Sequence, residues 1–211
     1  MLDSIIALDH RITLAMNAVQ TPFWDSVMLF LSSHTVWIPL YVCIAASMFI
    51  PKWYGVSAPA RFAGNVPFWI TGLLGLAVAA ACFGFTDQFT NVIKGLAERP
   101  RPGNDPLLEG LLNLPEGRGG GFSFVSAHAA NTMSFAMLTA LIFRRRLYSA
   151  IMIAWSVAIG FSRIYLSKHF TSDVICGLLT GILIALLFYW IYRLCLKALA
   201  KYHNKKTCTA S

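Results

Sequence analysis

The chain has 211 residues, 57% of them hydrophobic and 12% charged, with a mean hydropathy of +0.62. A soluble domain carries about 25% charge, so this is an integral membrane protein. It is read as one domain over 1–211, because no polar stretch is long enough to bury a core of its own. The net charge of +8 reflects membrane orientation plus an anion site and excludes a nucleic-acid partner.

The first predicted element is an interfacial amphipathic helix. Leu2, Ile5, Ile6, Ile12, Met16 and Val19 recur at roughly helical spacing. Asp3, Asp9, His10 and Arg11 break the unbroken apolar core that a standard signal peptide needs. Phe23–Leu31 is also apolar, but Asp25, Ser32, Ser33 and His34 interrupt it. Residues 1–31 are therefore expected as interfacial helices, the second of them interfacial or half-inserted, with an earlier start of the short span at 35–50 as the alternative.

A span needs ~20 mostly apolar residues. Spans are expected at about 35–50, 66–93, 125–143, 147–167 and 174–192. The predicted fold class is all-α: a polytopic transmembrane helical bundle of about five spans plus the N-terminal interfacial helix. Residues 103–124 form the one long loop, with Pro106, Pro115 and a Gly119–Gly121 run. A loop of that length is often functional, here as part of a headgroup pocket or lid, or it is a flexible connector. Residues 194–211 are expected as a tail.

Loop charges set the orientation. One side holds Lys52, Arg61, Arg144–Arg146 and the cations from Arg193 to Lys206, with no Asp or Glu. That side reads as cytoplasmic and includes the tail. The other holds Lys94, Arg99, Arg101, Arg163 and Lys168 with nearly all the acids, and reads as extracytoplasmic. Cys43, Cys82, Cys176, Cys195 and Cys208 lack paired spacing. They read as small apolar packing residues and not as a disulfide framework or zinc site.

Three polar clusters sit at the edges of the apolar runs: Lys94 to Arg101-Pro102, Ser126-Ala127-His128, and Ser162-Arg163 to His169 and Asp173. Ionisable groups near a bilayer are costly and tend to be functional. Lys94 and Arg101 are two turns apart on one face; alone, they also fit interfacial snorkelling. Ser126 is a good N-cap, and a helix N-terminus with free amides suits an anion; an ordinary cap beside an interfacial His128 fits equally. His169 and Asp173 are i,i+4 neighbours. A carboxylate there orients the imidazole and frees its other nitrogen, or the pair simply starts a helix. Asp87 lies seven residues before Lys94 and is expected to make a structural contact with a cation or Asn91.

Together the clusters resemble the three signature motifs of the type 2 phosphatidic acid phosphatase (PAP2) superfamily, which includes vanadium haloperoxidases. The family pattern is Lys-x6-Arg-Pro, then Pro-Ser-Gly-His, then Ser-Arg-x5-His-x3-Asp. The first and third are intact here. The second reads Val125-Ser126-Ala127-His128, with Val for Pro and Ala for Gly; the resemblance implies altered fit or rate at that point, not loss of activity. Arg99-Pro100 offers a competing register for the first motif, which the six-residue spacing assigns to Arg101.

The resemblance implies a metal-independent lipid phosphatase with no cofactor. His169 attacks phosphorus and forms a phosphohistidine, Asp173 orients it, and His128 protonates the leaving oxygen and then activates water. Lys94, Arg101, Ser126, the Ala127 amide and Arg163 hold the phosphoryl oxygens. The implied partners are the bilayer and a phospholipid, polyprenyl or lipid A phosphate substrate: undecaprenyl diphosphate, phosphatidylglycerol phosphate or phosphatidic acid, alternatively lipid A. The implied location is a bacterial inner membrane with the site facing the periplasm. Lipid-to-lipid phosphotransfer at the same site, a non-enzymatic lipid-binding protein and a small channel are the competing readings. Intact His128, His169 and Asp173 weigh against the binding protein, and the clustering of charges on one face with no polar stripe through the spans weighs against the channel.

Overall fold

The computed structural model describes residues 2–209. Residues 1, 210 and 211, the ends of the expected domain and tail, lie outside the described residues. Among the described residues there are helices and no strand. The helices are α1 (Leu2–Ala18), α2 (Pro22–Ser32), α3 (Ile38–Ser47), α4 (Phe68–Ala97), α5 (Ala127–Phe143), α6 (Arg146–Tyr165) and α7 (Thr171–Thr209).

Local chemistry sets their ends. Thr21 caps α2 by accepting from the Trp24 N–H, and Pro22 follows where a missing N–H costs nothing. Glu98 ends α4 in the left-handed region, with φ 45° and its N–H on the Lys94 carbonyl at 3.0 Å. Pro100 and Pro102 then keep the chain extended. Ser126 caps α5 by accepting from the Ala129 N–H. Arg144, at φ 51°, closes the other end.

The span pattern needs one correction. Residues 35–50 were expected as one span, but they supply only the 10-residue α3, which is too short alone and forms a pair, bent by 61°, with α2, the helix expected to be interfacial or half-inserted. The break falls where Ser33 goes extended and His34 follows, ahead of a 3-10 turn at Thr35–Trp37. Pro39 at the start of α3 removes a further N–H. By length and hydropathy α4, α6 and α7 can each cross a membrane, and the bent pair together makes a fourth. The shorter α5, with 17 residues, is apolar and central. The expected tail continues α7 as helix to Thr209.

None of α5 is exposed. It packs between α4, α6 and α7, and small residues let the backbones approach. A Cβ on Gly177 of α7 would lie 2.6 Å from the Ser126 carbonyl oxygen, and one on Gly181 would lie 2.5 Å from that of Ala130. Those glycines hold the two helices together at the end where the polar clusters meet. Farther along, Leu138, Ile142 and Phe143 of α5 join Met48, Tyr54, Ala185 and Tyr192 in the main core.

The expected N-terminal helix forms as α1, fastened across the cluster end. Ile12 and Met16 pack inward, Asp9 and Thr13 are buried, and Ile5, Ile6, Leu8 and Val19 face out. The long loop is also fastened. Asn17 and Asn113 exchange hydrogen bonds at 2.7 and 2.9 Å. His10 meets Asp105 at 3.0 Å, and Lys168 donates to the Glu116 and Gly117 carbonyls at 3.2 and 2.9 Å.

Candidate active site

Four segments converge at this end: the last turns of α4 with the extended strap after it, the first turn of α5, the end of α6, and the turn into α7. They enclose a cavity of about 210 Å³. Lys94, Arg101, Ala127, His128, Arg163 and His169 line it, joined by His34, Asp87, Asn91 and Asn131. Six of the eight expected site residues thus share one cavity. Ser126 and Asp173 are fully buried and are not among the lining residues.

The cations are held from behind. Arg101 donates to the Lys168 carbonyl at 3.2 Å and stands 3.5 Å from His169 Nε2. Its side chain lies on Gly119, where a Cβ would come within 2.6 Å of Arg101 Cδ. The glycine run therefore makes room for an arginine. Arg163, 4% exposed, donates to Ser32 Oγ and to Glu116 Oε2, the latter at 3.1 Å. The Nε atoms of Arg101 and Arg163 are buried with no protein acceptor, as suits donors facing an anion.

His169 is 1% exposed. Its Nε2 faces Arg101, and its Nδ1 lies 3.7 Å from Asp173 Oδ2. That is an ion-pair distance but beyond a hydrogen bond. Asp173 is already engaged: Oδ2 accepts from the Phe170 N–H at 3.0 Å and Oδ1 from Arg99 at 2.6 Å. Burial lowers the His169 pKa to about 4; Asp173 opposes the shift, while Arg101 and Arg163 add to it. The imidazole is thus neutral at ordinary pH, as a nucleophile must be.

Arg99 has a place that the motif spacing did not give it. Its guanidinium bridges Asp173 and Asp9, at 2.6 and 2.8 Å, and donates to Ser172 Oγ at 2.8 Å. It also stacks 4.1 Å above the Phe170 ring. It braces the carboxylate behind His169 and ties α1 to the site.

His34 was also missed. It sits at the break between α2 and α3, with its ring centroid 4.1 Å from that of His128. The available signal was a polar interruption in an apolar run. Asp87 makes the expected contact with Asn91 at 3.3 Å and a second with Asn131 at 3.1 Å. Asn131 lies one turn beyond Ala127 and His128, so the face of α5 was the clue. The cysteines Cys43, Cys82, Cys176 and Cys195 are free.

Comparison with known proteins agrees with this architecture. Residues 72–197 match the model of the PAP2 superfamily. Over 194 residues the chain is 28% identical to Lipid A 4'-phosphatase of Bacteroides thetaiotaomicron, covering 90% of this chain and 80% of that one. It is 28% identical over 195 residues to Phosphatidylglycerophosphatase B of Bacillus subtilis, covering 86% and 82%. The crystal structure of a transmembrane PAP2 type phosphatidylglycerolphosphate phosphatase from Bacillus subtilis superposes with a TM-score of 0.61 at 25% identity, covering 89% of this chain and 86% of that one. The family match takes in most of the chain and all three of its polar clusters, so the chain belongs to the PAP2 superfamily and is an integral membrane lipid phosphatase of that type.

Proposed function

We propose that the enzyme hydrolyses a phosphate monoester on a membrane lipid through a phosphohistidine, from the extracytoplasmic face. Lipid A carrying a 4'-phosphate is the first substrate to consider and phosphatidylglycerol phosphate the second, because the relatives named above act on such lipids. The observation that carries the reading is the cavity. It has room for a phosphoryl group and places three cations, Lys94, Arg101 and Arg163, beside three imidazoles, His34, His128 and His169, at one end of the helix bundle.

The chemistry follows from that arrangement. Lys94, Arg101 and Arg163 bind the phosphoryl oxygens, with the first amides of α5 completing the cradle. His169 Nε2 attacks phosphorus and the bond to the lipid oxygen breaks. His128 gives its proton to that oxygen, and the lipid leaves as an alcohol. Water then attacks the phosphohistidine, His128 takes its proton, and inorganic phosphate departs with His169 neutral again. Asp173, braced by Arg99 and the Phe170 N–H, holds negative charge behind the ring throughout. The cations carry the developing charge that a metal carries in other phosphatases.

The test is phosphate release by purified detergent-solubilised protein in EDTA, with lipid A, phosphatidylglycerol phosphate, phosphatidic acid and undecaprenyl diphosphate side by side. Release by the wild type, with none from His169→Ala, is expected. Equal release by that variant overturns the mechanism, and loss of release in EDTA that divalent cations restore overturns its metal independence.

A further inference from the structure

The opposite end of the bundle holds a second cavity, larger than the first, of about 610 Å³. Its polar wall is Arg144 at the end of α5 with Tyr189, Arg193 and Lys197 on α7. Arg144 lies sixteen residues after His128 on the same helix, so the two cavities are about 24 Å apart along it. This site is separate from the catalytic one and independent of the proposed mechanism.

Its geometry concentrates positive charge. Tyr189, Arg193 and Lys197 are spaced by four and form one row on α7. Arg144 donates to the Tyr189 hydroxyl at 3.1 Å. The Arg193 guanidinium lies over the same ring, 6.0 Å from its centroid. Two cations thereby meet one buried tyrosine, and Lys197 follows them in the lining of the same cavity. The protein supplies no counter-charge, since residues 26–86, 117–172 and 174–211 contain no Asp or Glu. Every element lining the cavity comes from those stretches.

Depth identifies the anion. Trp53, Trp69 and Trp190 are 45%, 59% and 59% exposed. They lie on the loop after α3, at the start of α4, and on α7 beside Tyr189. Exposed tryptophans gather at the headgroup level of a bilayer. Pro59, Ala63 and Leu196 complete the cavity with apolar surface, which a free ion would not use but a glycerol backbone and its first methylenes would. The loop that carries Pro59 and Ala63 is held against α5 by the Gly55 N–H on the Phe143 carbonyl at 2.6 Å. The wall is thus fixed in place.

We infer that this cavity binds the headgroup phosphate of an anionic glycerophospholipid from the leaflet opposite the catalytic cavity. The bound lipid clamps the loop after α3 to α7. Basic pockets between helices recognise such headgroups through the same combination of cations and depth.

Native mass spectrometry and thermal unfolding of the full-length protein in detergent test this, with phosphatidylglycerol, phosphatidylcholine or inorganic phosphate added. Retention of phosphatidylglycerol and a raised Tm are expected, with neither from phosphatidylcholine. The double variant Arg193→Gln, Lys197→Gln removes two exposed cations. It weakens phosphatidylglycerol binding about 30-fold, from roughly fivefold per cation. Lys94→Gln, at the catalytic end, leaves that binding intact. Arg144→Gln, read in the same way, gives a second measure of the site. Wild-type affinity in the double variant, equal retention of phosphatidylcholine, or an equal shift with inorganic phosphate alone would each overturn the proposal.

Discussion

The Glu116 carboxylate meets the Arg163 guanidinium at 3.1 Å, at the rim of the catalytic cavity. Arg163 is one of three cations there, so an incoming phosphate competes with Glu116 for it. Glu116→Gln removes the competitor. It lowers KM about two- to fivefold with little change in kcat, the range for a partly exposed ion pair. Steady-state kinetics on the preferred lipid check this. A raised KM would show that Glu116 supports substrate binding.

Arg163→Gln acts on the other partner. It removes a donor from the phosphoryl oxygens and lowers kcat about 10²- to 10³-fold. The same assay reads it. A fall in kcat below tenfold would place Arg163 outside the phosphate cradle.

Gly119 and Gly120 make a matched pair. A Cβ at 119 meets Arg101 Cδ at 2.6 Å, while one at 120 meets nothing within 4 Å. Gly119→Ala therefore moves Arg101 and lowers kcat/KM tenfold or more, up to about the 10²-fold loss of a missing donor. Gly120→Ala is silent, and neither variant shifts Tm appreciably. Equal activities would mean that Arg101 tolerates displacement.

Arg99 is a positioning residue. Arg99→Gln strands Asp9 and Asp173, both buried, and destabilises the fold by about 3–5 kcal/mol. Where the variant still folds, kcat falls while KM changes little, and Arg99→Lys restores part of both. Denaturation and kinetics are read together. Loss of stability with kcat intact would make the brace purely structural.

The pH dependence follows from His169. Its pKa falls from 6.5 to about 4 on folding. A group depressed in the fold contributes stability that is present above pH 6.5 and lost as pH falls toward 4. Wild type should therefore lose Tm relative to His169→Ala across that window and not above it. The acid limb of kcat/KM that belongs to His169 lies near 4. Parallel Tm curves from pH 7 to 4 would contradict this.

The residues most legible in the sequence were those whose partners are a few positions away. The i,i+4 step from His169 to Asp173 brings the two side chains within 3.7 Å, whereas Lys94 and Arg101 were expected two turns apart on one helix face and instead meet at the cavity because α4 ends at Ala97 and Arg101 follows on extended backbone. Arg99 was not legible in the same way. Glu98 turns the chain at φ 45°, and Arg99 then finds Asp9, ninety residues earlier. No local period encodes that contact. His34 failed for a related reason, since it enters the cavity only because α2 and α3 bend by 61° beside it. The bend also joins α2, expected to be interfacial or half-inserted, to α3 as one arm of a broken pair. Ser126 was right as a cap, yet capping Ala129 draws its hydroxyl away from the cavity.

The enclosure of α5 separates chemistry from the thickness of the membrane. A helix of 17 residues is only about 26 Å long, shorter than a typical hydrocarbon core, and in contact with lipid it would tilt or thin the bilayer. Here α4, α6 and α7 surround it and carry the exposed apolar side chains, so acyl chains would meet them first and a mismatch would be taken up by their tilt. His128 rides on the sheltered helix, so a change in bilayer thickness would alter the outer ring of the bundle before it reached that imidazole.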